Sequence, residues 1–245
     1  MTQLSQRDTP VAQPRRKRRR PAWWMLPLSL IALAILAFML SAYIPPDIRT
    51  SRADMHGNQV RYWLLLGHIA FGTVATVTGL LQLWAGLRNK FPRVHRWTGR
   101  IYFYAGIFPS MILAVPVSAM SESGVSNVAA LDTMLILWAI TGVAGLRAAK
   151  ARRFNDHRKW MIHNYAVTLA IITSRPWGVV MALIVMAQAD SAAYQGNTVA
   201  MIHDIASSGA WIALVVNLVV AEAYIHRKYG GRSRKPALAG HTQQQ

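Results

Sequence analysis

Apolar residues in this chain fall in long continuous runs rather than in the alternating or one-faced patterns of soluble strands and helices. Six runs stand out, at residues 23–44, 62–87, 97–120, 128–146, 160–187 and 207–225. Each reaches or approaches the roughly 20 residues a helix needs to cross a hydrocarbon core. Inside lipid every backbone polar group must be satisfied within the protein, which makes runs of this length helices. The pattern predicts an all-α polytopic membrane protein, a bundle of six transmembrane helices forming one domain over residues 22–226. Residues 1–21 read as a disordered basic tail, and residues 227–245 as a short polar one.

The polar segments between the runs set the orientation. Lys and Arg number seven in the N-terminal tail, five at 88–100, six at 147–159 and five in the C-terminal tail. With six spans these 23 of the 27 basic residues share one side, the other side holds Arg49, Arg52 and Arg61, and Arg175 lies within a span. The positive-inside rule then predicts a bacterial inner (plasma) membrane protein with both termini cytoplasmic. Tryptophans agree: Trp23, Trp24, Trp97 and Trp160 fall at the cytoplasmic boundary, and Trp63 and Trp211 at the other, as an aromatic belt does. The net charge of +18 would suit a nucleic-acid binder. Because the charge alternates between loops, it is assigned to topology, and the expected partner is the lipid bilayer and not nucleic acid. The run RRKRRR at 15–20 also has the look of a twin-arginine export signal. The apolar run after it is too long for a signal peptide, and Tyr43-Ile44-Pro45-Pro46 is a poor cleavage site, so the first span is retained.

The chain has no cysteine. Disulfides, zinc–thiolate sites and iron–sulfur clusters are excluded, and histidine is left as the nitrogen ligand for a transition metal or haem. No Ser-His-Asp motif, P-loop, HExxH or dinucleotide fingerprint occurs. With nine acidic residues in all, a hydrolase that needs several carboxylates is a poor fit. Of the eight histidines, His56 and His241 fall in a loop and a tail, and His226 ends the last run beside Arg227 and Lys228. Glu222 and His226, four apart, make either a proton relay or a surface pair. His68 lies toward the outer face of the second span, His95, His157 and His163 at the cytoplasmic face, and His203 just before the sixth span on the outer side.

On a helix His68 shares a stripe with Gly72, Ala75, Gly79, Gln82 and Gly86, and His95 shares one with Gly99, Tyr102 and Gly106. Two readings are open. Small residues let transmembrane helices pack closely, and glycine beside a histidine also makes room for a flat macrocycle. Bis-histidine ligation of two haems would draw on His95 with His163 or His157 inside, and on His68 with His203 outside. His157 and His163 are six residues apart, roughly 120° around a helix, so the two are poor ligands for one iron. Arg175 follows His157 by eighteen residues, about 27 Å along a helix. A charge this far inside an apolar run normally faces a protein interior, a cavity or a counter-charge. For Arg175 that partner is a haem propionate, backbone carbonyls, or an acid of a neighbouring helix such as Asp132. His95 and His157, flanked by basic residues, also suit anionic lipid headgroups.

The two cytoplasmic hairpins echo one another. Ala85-Gly86-Leu87-Arg88 is followed by His95-Arg96-Trp97, and Ala144-Gly145-Leu146-Arg147 by His157-Arg158-Lys159-Trp160. Such an echo fits either a parallel duplication or two unrelated basic loops. The segments FPRVHRWTGRIY at 91–102, DHRKWMIHNYA at 156–166, the later TSR and LLGHIAFG at 65–72 resemble a large bacterial family of multi-pass membrane proteins of unknown function. The resemblance covers about residues 60–225 and implies a membrane protein without an established reaction. More loosely, the chain is similar to cytochrome b561-type dihaem proteins, whose ligands come from four consecutive helices, two at each face. Here the second, third and fifth spans supply His68, His95 and His163 as iron ligands. The fourth span has no histidine, so His203 would substitute.

The leading expectation is therefore a transmembrane electron carrier holding haem b through His68, His95, His163 and His203, with Arg175 on a propionate. The runner-up is a transporter or binding protein for a small anion or lipid, with Arg175 as counter-charge and Pro176 loosening the helix. A third reading is a membrane scaffold or assembly subunit. The sequence leaves the redox partner or small-molecule substrate unidentified, and leaves a homodimer open.

Overall fold

A computed structural model describes residues 25–53 and 55–230, and among these the secondary structure is all helical with no strand. We number the long helices α1 (Met25–Leu40), α2 (Gln59–Leu83), α3 (Pro92–Ala119), α4 (Val125–Lys150), α5 (Phe154–Met186) and α6 (Thr198–Tyr229). Ile48–Thr50 forms one 3₁₀ turn after α1, and Ala85–Lys90 a short helix after α2. Five helices, α2 to α6, are long and apolar enough to cross a membrane. α1, with 16 residues and a length of about 24 Å, is shorter. The 1–21 tail and residues 231–245 of the polar C-terminal tail lie outside the described residues.

Local chemistry accounts for the helix starts. The Asn58 side chain accepts from the Arg61 N–H at 3.0 Å to cap α2, and Asn197 accepts from the Ala200 N–H at 3.1 Å to cap α6. Pro92 occupies the first turn of α3, where its missing N–H leaves no helical bond unmade. The apolar runs located the helices but not their ends. α4, α5 and α6 continue past the apolar runs into polar flanks, because a helix outside the lipid needs no apolar surface. The second run instead breaks early: Trp84 turns out of the helix (φ −72°, ψ 100°), and Ala85–Lys90 starts afresh with Arg88 and Lys90 in its last turn.

Small residues set the packing of α2 on α3. A Cβ added at Gly106 would lie 3.0 Å from the Ala75 backbone, and one at Gly72 would lie 3.4 Å from Ser110 Oγ. The Tyr165 ring fills the space beside Gly79, and Gln82 lies against Gly99. The glycine stripe that begins at His68 is thus a helix–helix seam. α5 and α6 pack just as closely, with a Cβ at Gly209 3.1 Å from the Gly178 backbone nitrogen. Leu30, Ile112 and Leu183 are 69%, 71% and 72% exposed, which leaves an apolar outer surface for lipid.

At the middle of the bundle α3, α4 and α5 share a buried polar knot. Tyr102 in the π-wound segment Tyr102–Ile107 donates to Asn164 Oδ1 at 2.6 Å, and its oxygen lies 3.0 Å from Thr168 Oγ1. Trp138 Nε1 donates to Thr168 Oγ1 at 2.8 Å. Asn164 Nδ2 donates to Trp138 O at 3.0 Å and to Thr141 Oγ1 at 2.9 Å. Beside it, Tyr165 donates to Thr76 O on α2 at 2.9 Å. Without water to compete, these bonds and close van der Waals contact hold helices together in place of the hydrophobic effect.

Candidate functional site

The helix contacts give a register from which the depth of each histidine follows. Tyr165 reaches Thr76, eight residues from His68, so His68 lies level with about residue 173 of α5. Gly209 meets Gly178, six residues from His203, so His203 lies level with about residue 184. The two histidines are offset by about 11 residues, or about 16 Å along the bundle. They cannot share one iron. His203 belongs to α6 rather than preceding it, and its ring packs on Gly124, where an added Cβ would be 2.9 Å from Nδ1. His68 is held elsewhere, its Nδ1 lying 2.9 Å from Ser110 O and 3.0 Å from Ser110 Oγ.

The same register separates His95 from His163. Gln82 donates to His95 O at 3.0 Å, and Gln82 is level with about residue 159 of α5. His157, two residues from that level, is among the groups that act electrostatically on His95, together with Arg88 and Arg158. His163 turns sideways to α6, where its Nε2 lies 3.0 Å from Glu222 Oε2 with Trp160 against the ring. Glu222 therefore pairs with His163, not with His226 four residues on.

The inner site accordingly consists of Arg88 on the short helix, His95 on α3, and His157 and Arg158 on α5. His157 Nδ1 lies 2.8 Å from Gly145 O, which fixes the ring and leaves Nε2 available. Among the described residues, the buried His95 Nδ1 has no hydrogen-bond partner, and the ionisable groups that act on His95 are the basic Arg88, His157 and Arg158. The hairpin echo resolves into two different arrangements, since Gly145 lies in the unbroken α4 while Gly86 lies in a separate short helix.

Arg175 is neither buried nor paired with Asp132. It is exposed on α5, and Asp132 instead accepts from Ser118 Oγ. Since Gly209 meets Gly178, Trp211 is level with about residue 176. Arg175 thus lies level with Trp211, with exposed Val179 and Leu183 further along the same helix. Tyr43 and Arg52, from the segment after α1, are the groups that act on it.

A two-haem arrangement does not fit these residues. His68 and His203 are too far apart in depth, His163 is committed to Glu222, and Ser110, Tyr165 and Ala75 fill the seam beside His68. Shallow depressions on the surface include one lined by Arg152, Arg153, Phe154, Asn155 and Asp156, and another lined by Ala139, Ile140, Val143, Ala144 and Arg147. Among the described residues no three His, Cys, Asp or Glu side chains gather as a metal site. His95 and His157 lie at a similar depth, and by the same register His226 falls level with about residue 161.

Apolar helices long enough to cross a bilayer, joined by a polar knot and carrying basic residues at their ends, define a polytopic all-α membrane protein. The chain belongs to the family described as "Predicted membrane protein (DUF2306)", which matches residues 65–225. That stretch holds all four inner-site residues and Arg175, but not Arg52. No curated protein and no solved structure matches the chain.

Proposed function

We propose that the protein is a six-span protein of the bacterial inner membrane that binds a phosphate-bearing anion at its cytoplasmic face. Arg88, His95, His157 and Arg158 hold the ligand. The 23–44 run serves as the first span, and the charge asymmetry of the loops puts both termini in the cytoplasm. The observation that carries the reading is the buried, partnerless Nδ1 of His95 within a wholly basic surrounding. A buried polar group without a partner costs about 1–3 kcal/mol. A phosphate oxygen would accept from that nitrogen, while the arginines neutralise its charge with paired N–H groups. In the test, thermal unfolding of the purified protein is followed with inorganic phosphate and with chloride at equal ionic strength. Phosphate stabilises the wild type, and the shift disappears in Arg158→Gln and His95→Gln. A wild type indifferent to phosphate would contradict the proposal.

One observation favours a second reading. A histidine whose Nδ1 is held by a backbone carbonyl, as His157 is by Gly145, is oriented as metal-ligating histidines are. On this reading His95 and His157 would hold one haem b, and Arg88 and Arg158 would neutralise its propionates. The haem supplies one-electron transfer. A dithionite-reduced minus oxidised spectrum separates the readings: a sharp α-band lost in His157→Ala supports haem, and a flat spectrum removes it.

A further inference from the structure

We propose that the N-terminal turns of α3 bind an anionic phospholipid of the leaflet that this end of the bundle meets, with Arg93, Arg96 and Arg100 on the headgroup phosphate beside Trp97. The site does not rest on the inner anion site, which uses another face of the same helix. At about 100° per residue, Arg93, Arg96 and Arg100 form one stripe of the helix. Val94, Trp97 and Ile101 form a second stripe, one residue round from the first. His95, Thr98, Gly99 and Tyr102 take the remaining side and face the protein, where Gln82 donates to His95 O at 3.0 Å and lies against Gly99. Both outer stripes are exposed, Trp97 by 64%. Further along α3, Tyr104 and Ile112 are 59% and 71% exposed, so the apolar surface continues towards the middle of the bundle.

No acid answers these arginines. Among the described residues the acids on this half of the bundle are Asp156 and Glu222, and they lie 3.5 Å from Arg153 and 3.0 Å from His163. None of the three arginines makes a hydrogen bond or ion pair among the described residues. Arg100 is turned instead to the apolar stripe, its Cζ 5.4 Å from the Trp97 ring centroid. α4 has the ordinary arrangement. There Ile136, Ile140 and Val143 form an exposed stripe whose own line runs on to Arg147 and Lys150, so the cations only mark where the apolar surface stops. On α3 cations and apolar side chains run side by side for about two turns. A phospholipid uses both stripes at once. Its phosphate oxygens accept the paired N–H groups of the guanidiniums, and its acyl chains lie against Trp97, Ile101 and Tyr104. Three unanswered positive charges favour an anionic headgroup over a zwitterionic one. A free phosphate would leave the apolar stripe unused.

The test uses the full-length protein in detergent, stripped of its lipid and offered equal amounts of phosphatidylglycerol and phosphatidylcholine with the same chains. Native mass spectra count the lipids retained. Two triple variants remove the same charge from this end: Arg93→Gln with Arg96→Gln and Arg100→Gln on α3, and Arg147→Gln with Lys150→Gln and Arg152→Gln at the end of α4. The wild type is expected to retain phosphatidylglycerol at least roughly tenfold better than phosphatidylcholine, the α3 triple to lose that preference and the α4 triple to keep it. Lysine at the three α3 positions should keep it only in part. All six substituted residues are exposed, so both triples should unfold at the wild-type temperature in lipid-free detergent. Arg158→Gln should retain the lipid as the wild type does, which separates this site from the inner one. Equal retention of the two lipids by the wild type would overturn the proposal, as would equal losses in the two triples. So would displacement of the retained lipid by an equal amount of inorganic phosphate.

Discussion

The knot around Asn164 and the cluster around His95 both draw polar side chains from α3 and α5, but their bonding is opposite. In the knot, Tyr102, Asn164, Thr168, Trp138 and Thr141 satisfy one another or a backbone carbonyl, and all are buried. At the inner end, His95 keeps an unpartnered nitrogen among basic neighbours. A closed set of hydrogen bonds has nothing left to offer a ligand, and its work is to fix how three helices meet. An open set that carries one sign of charge is poorly stable alone and complete only with a partner. Within this fold, polarity by itself marks structure, and incompleteness marks the candidate site.

The contrast can be broken in graded ways. Asn164→Leu should have the largest effect on folding, because it removes three hydrogen bonds, to Tyr102, to Trp138 O and to Thr141, from the buried centre of the knot. A loss of about 2–4 kcal/mol is expected in reversible unfolding from mixed micelles, with the phosphate-induced shift retained in whatever protein folds. Gly106→Val would force α3 away from the Ala75 backbone and cost about 1–3 kcal/mol by overpacking. The half-exposed His163–Glu222 pair should matter least. A double-mutant cycle of His163→Gln and Glu222→Gln is expected to return a coupling below about 1 kcal/mol. A coupling of several kcal/mol would mean that this pair belongs with the knot and that solvent or lipid does not reach it.

Much of the fold was legible in the apolar runs, since lipid imposes a length and forbids unpaired backbone. The run at 160–187 marks α5, and that at 207–225 marks α6, with ends that polar flanks then extend. The break at Trp84 was not legible, because the run continues in composition through Leu87 while the chain turns. His95 and His157 were visible as basic-flanked histidines at one face. Their grouping was not, since it depends on register between helices, and register comes from contacts such as Tyr165 with Thr76 and Gly209 with Gly178. The stripe from His68 through Gly79 admitted a seam or a slot, and the Tyr165 ring decides for the seam. The knot went unread altogether. Its signal was present in Tyr102 and Asn164, polar residues inside the two most distinctive segments, with Thr168 one turn beyond Asn164.

The proposed anion site at the inner face can be tested directly. Isothermal titration of inorganic phosphate into wild type and Arg158→Gln, matched in ionic strength, tests it without relying on stability. Saturable binding to the wild type that falls at least roughly tenfold in Arg158→Gln, with thermal stability in phosphate-free buffer unchanged, is the predicted result. Equal binding by both proteins, or none by the wild type, would contradict it.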